Sequence, residues 1–324
     1  MFYVVAALVA LILAVYAAVF AFSHKPRPVH KHEQFFETTV ADGSVSPKQP
    51  LVALEKQAHG RKDTDADDDD DYVFISVVVP CYNETKRLGV MLEDAVPVLD
   101  ALKQPYEVII VDDGSRDKTP EFALEWASQH MKPGSLRVTR LAKNRGKGGA
   151  VAHGMRFSRG KYVLFADADG ASDFKDMPRL LEAVKVNDGV AIGSRAHMVG
   201  TDAVVKRSFI RNFLMRGLHL LVWTFGVRTI RDTQCGFKLF SRRATENIFP
   251  YMHTEGWIFD VEVLMLAQRK GLAIAEIPIS WHEVEGSKID LAADSIKMAI
   301  DLVVTRVAYI IGVYGDREVN FKVE

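Results

Sequence analysis

The sequence predicts an α/β fold, a mostly parallel sheet with helices on both faces, preceded by one apolar helix. Two observations carry this. From residue 72 onward, short β-rich apolar runs alternate with longer segments of helical periodicity. The runs are apolar throughout rather than at every second position, the pattern of strands covered on both faces. A third observation concerns chemistry. Several runs end in acidic or glycine-rich stretches, and in open parallel sheets ligands bind beyond the carboxyl ends of the strands.

Taken in order, residues 2–22 (FYVVAALVALILAVYAAVFAF) carry no charge, Pro or Gly. At about 1.5 Å per residue they match a hydrocarbon core of about 30 Å. Lys25, Arg27 and Lys31 follow the run, and only Met1 precedes it. This favours an uncleaved anchor over residues 1–23, its C-terminal side in the cytosol, rather than a cleaved signal peptide. Residues 24–71 hold four of the 12 prolines and end in the run DTDADDDDD, so they read as a flexible acidic linker. Asp65-Ala66-Asp67 reads as part of that solvated spacer, because no apolar strand presents it.

Residues 72–290 read as one domain. Strands are expected at 73–79, 106–111, 136–141, 161–166 and 189–193, and helices at about 85–102, 119–131, 147–158 and 177–187. Two later stretches, 206–227 and 295–315, have helical apolar spacing with charges interspersed. The first is too short between charges to span a bilayer, and Lys297, Asp301 and Arg306 exclude a span from the second. Residues 291–324 are read as a membrane-proximal amphipathic helix and tail.

The 41 Lys+Arg against 42 Asp+Glu exclude a nucleic-acid binder, and 48% apolar with 26% charged residues exclude disorder throughout. Two cysteines, Cys81 and Cys235, exclude a disulfide scaffold and a four-cysteine zinc site. His153, His219 and His282 lack metal spacing.

Asp112-Asp113-Gly114-Ser115 and Asp167-Ala168-Asp169-Gly170 stand at two strand ends. One such pair is an ordinary turn. Two on one rim repel unless a cation or sugar hydroxyls satisfy them, and hard oxygen ligands suit Mg²⁺ or Mn²⁺. Asn144-Arg145-Gly146-Lys147-Gly148-Gly149 opens a helix and suits a phosphate, although it is not a P-loop.

The segments VVVPCYNE (77–84), VDDGSRDKT (111–119), NRGKGGAVAHG (144–154), ADADG (166–170) and DTQCGFKLF (232–240), in this order, resemble the family 2 inverting glycosyltransferases of the GT-A fold. The resemblance covers about 72–290. It implies that Pro80, Tyr82 and Glu84 line a uridine pocket, with Asp112 on the uracil or ribose and Asp113 beside it. It implies Asp169 as principal metal ligand, Asp167 on metal or ribose, and Lys147 near the nucleotide. The Gln-x-x-Arg-Trp motif of members that glycosylate hydroxyls is missing; Gln234-Cys235-Gly236-Phe237-Lys238 stands instead. That favours a lipid-phosphate acceptor. The implied reaction moves glucose from UDP-glucose to dolichyl phosphate, with a divalent metal, at the cytosolic side of the endoplasmic reticulum membrane. A GDP-mannose donor and a catalytically silent binding protein are the alternatives.

A phosphate monoester is largely dianionic at neutral pH, its second pKa being about 6, so it needs cations more than a base. Arg195 at a strand end and Arg207 and Arg211, four apart on one helix face, are the expected clamp. Asp260, after an aromatic run, is expected to face the site as an orienting carboxylate.

Overall fold

The computed structural model describes residues 2–52, 72–198, 226–286, 291–315 and 319. In chain order its elements are α1 (Phe2–Phe22), β1 (Phe35–Thr38), β2 (Gln49–Pro50), β3 (Ile75–Cys81), α2 (Leu88–Ala101), β4 (Tyr106–Asp112), α3 (Thr119–His130), β5 (Leu136–Arg140) and α4 (Lys147–Phe157). Then follow β6 (Tyr162–Ala166), α5 (Met177–Asn187), β7 (Val190–Ser194), β8 (Phe237–Ser241), α6 (Arg242–Ile248), α7 (Phe259–Arg269), β9 (Ile274–Pro278) and α8 (Leu291–Ile311). One sheet runs in the order β2-β1-β5-β4-β3-β6-β8-β7-β9.

The centre, β5-β4-β3-β6, is parallel, with Val78 opposite both Ile109 and Phe165. Alternate residues of these strands feed two separate cores. Val78, Ile109, Val111 and Phe165 pack with α4 and α7. Val77, Val79, Ile110 and Leu164 pack with α2, α3 and α5. A strand buried on both faces has no polar side to show, which is why these runs are uninterrupted in the sequence.

Strand β8 is antiparallel to both β6 and β7, and β9 runs parallel to β7. Neither was expected. The β8 residues lie in a motif read only for its chemistry, and Ile274–Pro278 is half exposed, with Glu276 at its centre.

Residues 24–52 differ from the flexible linker expected there. Strand β1 pairs antiparallel with β5 (Phe36 opposite Thr139), and β2 pairs with β1. Phe36, Leu51 and Phe157 form a small cluster beneath them. Glu33 is fully buried and accepts from the N–H of Ala142 at 2.8 Å and of His30 at 3.0 Å, and from Arg27 at 2.8 Å. The open edge of β5 supplies the hydrogen bonds that turn this polar segment into structure. The acidic run 63–71 lies outside the described residues.

Helix α1 is long and apolar enough to cross a membrane, and Val19 is its one buried residue. Val19 belongs to the same cluster as Ala308, Tyr309 and Tyr314, so the end of α1 lies against α8. On α8, Met298, Leu302, Thr305 and Tyr309 are buried, whereas Ile296, Ile300 and Ile310 are 59%, 50% and 71% exposed. Thr305, which spacing groups with the polar side, is thus part of the docking face. The hydroxyl of Tyr309 donates to the buried Glu262 carboxylate at 2.8 Å, which fixes α8 on α7.

Candidate active site

A cleft of about 740 Å³ opens at the carboxyl ends of β3, β6 and β7 and the turn before α4. Its sheet-side wall is knitted by short-range polar contacts. Asn83, at φ 54°, accepts from the N–H of Arg116 at 2.7 Å and donates its own N–H to Ser115 Oγ at 2.9 Å. This ties the loop after β3 to the loop after β4. Pro80, Tyr82 and Glu84 all line the cleft, as expected. The Glu84 carboxylate is held by the Arg87 fork, at 2.7 and 2.8 Å.

Of the first acidic pair, Asp113 faces the cleft and Asp112 does not line it. Asp112 is the last residue of β4 and accepts from the N–H of Ser115 at 3.2 Å. Successive residues leaving a strand point to opposite sides, and here Asp113 is the one on the cleft side. Asp113 accepts from the N–H of Arg145 at 2.6 Å and of Gly146 at 3.0 Å, and so fixes the turn that starts α4. Burial pushes its carboxyl up to about 7, against those two N–H groups. Gly146 has φ 87°, and a Cβ there would meet the carbonyl of Glu255; only glycine makes this turn without strain.

The second pair is brought to the cleft whole, with Asp167 and Asp169 both lining it. Lys147, at the N-terminus of α4, pairs with Asp167 at 2.7 Å. Burial works against the ammonium, and the carboxylates of Asp167, Asp260 and Asp169 outweigh it, holding Lys147 above its ordinary range. Asp169 accepts from the N–H of Ala171 at 3.0 Å, and Arg87 lies 4.0 Å away. Burial, then the Asp167 charge, raise the Asp169 pKa. The Asp167 carboxylate lies over Gly236, where any Cβ would overlap it. No group of three or more His, Cys, Asp or Glu side chains poised for a metal occurs among the described residues. What the cleft offers a cation is the oxygen pair of Asp167 and Asp169.

Arg195 lines the cleft, but its fork is already engaged by Asp232, at 2.7 and 2.8 Å, and its guanidinium lies over the Trp281 ring at 5.4 Å. Asp260 does not line the cleft. It is 3% exposed and paired with Lys238 Nζ at 2.5 Å beneath the floor. The helical register of α7 turns Asp260 inward, toward the buried Lys238 that pairs with it, with the Lys147 charge also acting on it. Arg207 and Arg211 lie outside the described residues, as does most of the segment 206–227.

The opposite wall was not anticipated. Glu255 takes the Arg145 guanidinium at 2.5 and 2.7 Å and the His24 ring at 3.4 Å. His24, Glu255, Trp257, Trp281 and Lys297 all line the cleft. The N–H of His24 donates to Tyr314 Oη at 2.6 Å, and that hydroxyl donates to the His24 carbonyl at 3.2 Å. For Asp232 and Gly236 the signal was present inside the fifth motif. For Arg87 it lay in the i,i+3 spacing to Glu84. His24 and Lys297 carried none.

The family model for glycosyl transferase family 2 matches residues 76–249. The chain belongs to glycosyl transferase family 2. This family 2 chain is 49% identical over 96% of its length to the dolichyl-phosphate β-glucosyltransferase of Saccharomyces cerevisiae, covering 94% of that protein. It is 44% identical to the dolichyl-phosphate β-glucosyltransferase of Homo sapiens, over 74% of this chain and 77% of the human protein. Among solved structures, the glucosyl-3-phosphoglycerate synthase of Mycobacterium tuberculosis, in complex with Mn²⁺, UDP-glucose and phosphoglyceric acid, shares the family 2 fold. The TM-score is 0.51 at 19% identity, with 80% of this chain and 85% of that one covered.

Proposed function

We propose that this chain transfers glucose from UDP-glucose to dolichyl phosphate with inversion, giving dolichyl β-D-glucosyl phosphate for protein N-glycosylation. The observation that carries the reading is the 49% identity, over nearly the whole length, to the yeast dolichyl-phosphate β-glucosyltransferase. It is joined by the carboxylates Asp113, Asp167 and Asp169 in one cleft. No feature favours the GDP-mannose alternative, and the intact cleft carboxylates argue against a silent binding protein.

The roles follow from the chemistry of the walls. Asp167 and Asp169 would hold the divalent metal, an oxygen-only set that suits Mg²⁺ or Mn²⁺ and leaves positions for phosphate. When bound, it would supply neutralisation of the leaving diphosphate. Lys147 would add a fixed positive charge beside the same group, at a helix N-terminus that favours anions. Asp113 would keep the Asn144–Gly146 turn in shape for the nucleotide, with Pro80 and Tyr82 as its wall. The burial of Asp260 in an ion pair is compatible with an acceptor that needs no general base. Arg195 would act on the acceptor side through whatever part of its guanidinium Asp232 leaves uncovered. Arg207 and Arg211 remain proposed acceptor contacts on the sequence alone.

The length and exposure of α1 support a single-pass anchor, with the endoplasmic reticulum and a cytosolic cleft as the proposed setting. The test incubates membranes containing the full chain with labelled UDP-glucose, UDP-galactose or GDP-mannose plus dolichyl phosphate, followed by lipid extraction. Label in the lipid phase from UDP-glucose alone is expected. Label from GDP-mannose instead would overturn the donor assignment.

A further inference from the structure

The cations that line the cleft are not equivalent. Arg87 is committed to Glu84, Arg145 to Glu255, Lys147 to Asp167 and Arg195 to Asp232. Lys297, on α8, lines the same cleft and forms no ion pair among the described residues. Asp294, three residues before it, lines the same cleft, and Asp301, one turn on, feels the Lys297 charge without an ion pair. A cation left unspent at the wall of a cleft points to an anion that arrives with a substrate.

Position says which substrate. Lys297 and His24, the latter two residues beyond the end of α1, both line the cleft and both act on the Asp301 carboxylate. A Cβ built on Gly256 would sit 3.8 Å from the Asp301 carboxylate, so α8 closes directly on this part of the cleft. The two elements that supply this wall also carry exposed apolar surface, nearly all of α1 and Ile296 and Ile300 of α8, which flank Lys297 in sequence. An amphiphile with one phosphate and a long apolar chain matches that combination. Lys147 and the α4 N-terminus pack against the neighbouring Glu255–Trp257 segment, but Lys147 is already paired with Asp167 and the N–H of Gly149 with the Glu255 carbonyl.

We propose that Lys297 binds the phosphate of the lipid acceptor, at a mouth formed by the end of α1 and the first turns of α8, with the isoprenoid chain leaving along the exposed Ile296 and Ile300 side. This rests on the reading of the chain as a dolichyl-phosphate glucosyltransferase and adds the residue and the side of the cleft that take the acceptor. The contact is that of a flexible point charge, so a guanidinium can take its place.

The experiment uses the full chain in detergent and in phosphatidylcholine vesicles, comparing wild type, K297Q and K297R. The KM for dolichyl phosphate, the KM for a water-soluble short-chain isoprenyl phosphate and the Kd for UDP-glucose are measured for each. K297Q is expected to raise both acceptor KM values about tenfold or more, a loss of about 1.4 kcal/mol. UDP-glucose binding should stay within about twofold, which also shows that the variant is folded, and K297R should recover most of the loss. A loss confined to dolichyl phosphate in vesicles would make Lys297 a contact to membrane headgroups and overturn the proposal. So would a rise in the UDP-glucose Kd, which would put Lys297 on the donor diphosphate, or acceptor KM values within about twofold of wild type. Failure of the wild-type protein to glucosylate either acceptor is a separate outcome. It would overturn the reading of the activity before any variant is compared.

Discussion

The two walls of the cleft are built differently. The sheet-side wall, from Pro80 to Asp169, is made at the ends of neighbouring parallel strands, and many of its contacts link residues about thirty apart, such as Asn83 to Arg116 or Asp113 to Arg145. The opposite wall joins the chain's beginning to its end. His24 bonds Tyr314 across 290 residues, and Arg145 meets Glu255 across 110. The first wall carries the proposed chemistry. The second connects it to α1. The sheet-side carboxylates and the junction with α1 are thus positioned by largely separate sets of contacts, which meet where α4 and Arg145 pack on Glu255 and Trp257.

If so, damage to each wall should have its own signature. The largest effect is expected from Asp169→Ala, which removes half of the oxygen pair. The kcat should fall at least a hundredfold, about 2.7 kcal/mol, with the thermal midpoint little changed. A variant retaining more than about a tenth of wild-type rate would show that the pair holds no metal.

Glu255→Ala strikes the junction. It leaves the nearly buried Arg145 guanidinium with the Arg27 carbonyl but no carboxylate, and removes the bonds of the His24 ring and the Arg27 N–H to Glu255. Breaking such a pair costs about 3 kcal/mol. Chemical denaturation should show that loss together with a raised UDP-glucose KM. An unchanged denaturation midpoint would mean that the two walls are not coupled through this pair.

Deleting residues 1–22 spares the 24–52 clasp. Transfer to dolichyl phosphate in vesicles should fall about tenfold, while a water-soluble short-chain acceptor loses little, because the anchor supplies local concentration rather than chemistry. Equal losses on both acceptors would show that the packing of Val19 on α8, rather than the anchoring, is what activity needs from α1. Deleting residues 1–52 should instead lower stability, since it uncovers the β5 edge and removes Glu33.

The smallest effect concerns pH and the sheet-side wall alone. The Asp113 carboxyl lies above its ordinary range, at about 7. The ionised form, which accepts from both Arg145 and Gly146, is therefore present above about pH 7 and is lost as pH falls. The UDP-glucose KM, measured at saturating acceptor, should rise severalfold from pH 8 to pH 6, and Asp113→Asn should flatten that slope. A slope unchanged in the variant would remove Asp113 as its origin.

The same contrast explains what the sequence could disclose. The central strands were legible to within two residues because burial on both faces leaves an unbroken apolar run. Asp113, Lys147, Asp167 and Asp169 were legible because chemistry gathers at the ends of those runs. Three things were hidden. Strand β1 is made of strand-favouring residues, Phe35, Phe36 and Thr38, but a four-residue run inside a Pro-rich polar stretch becomes a strand only because β5 offers an edge. Asp112 and Asp113 look alike in sequence, and only the pleat decides which one faces the cleft. Asp260 reads as a site carboxylate until Lys238, on a strand that had not been expected, is found beneath it.

One feature sets a length. His24 is two residues past Phe22, the last residue of α1, and is held there by Tyr314. Two extended residues reach at most about 7 Å, about the depth of one headgroup layer, since headgroups bring a hydrocarbon core of about 30 Å to about 40–45 Å in all. With α1 in a bilayer, the rim of the cleft is thus held level with the phospholipid phosphates. An isoprenyl phosphate would react at the depth where it already floats, and the soluble sugar nucleotide is the partner that has to descend.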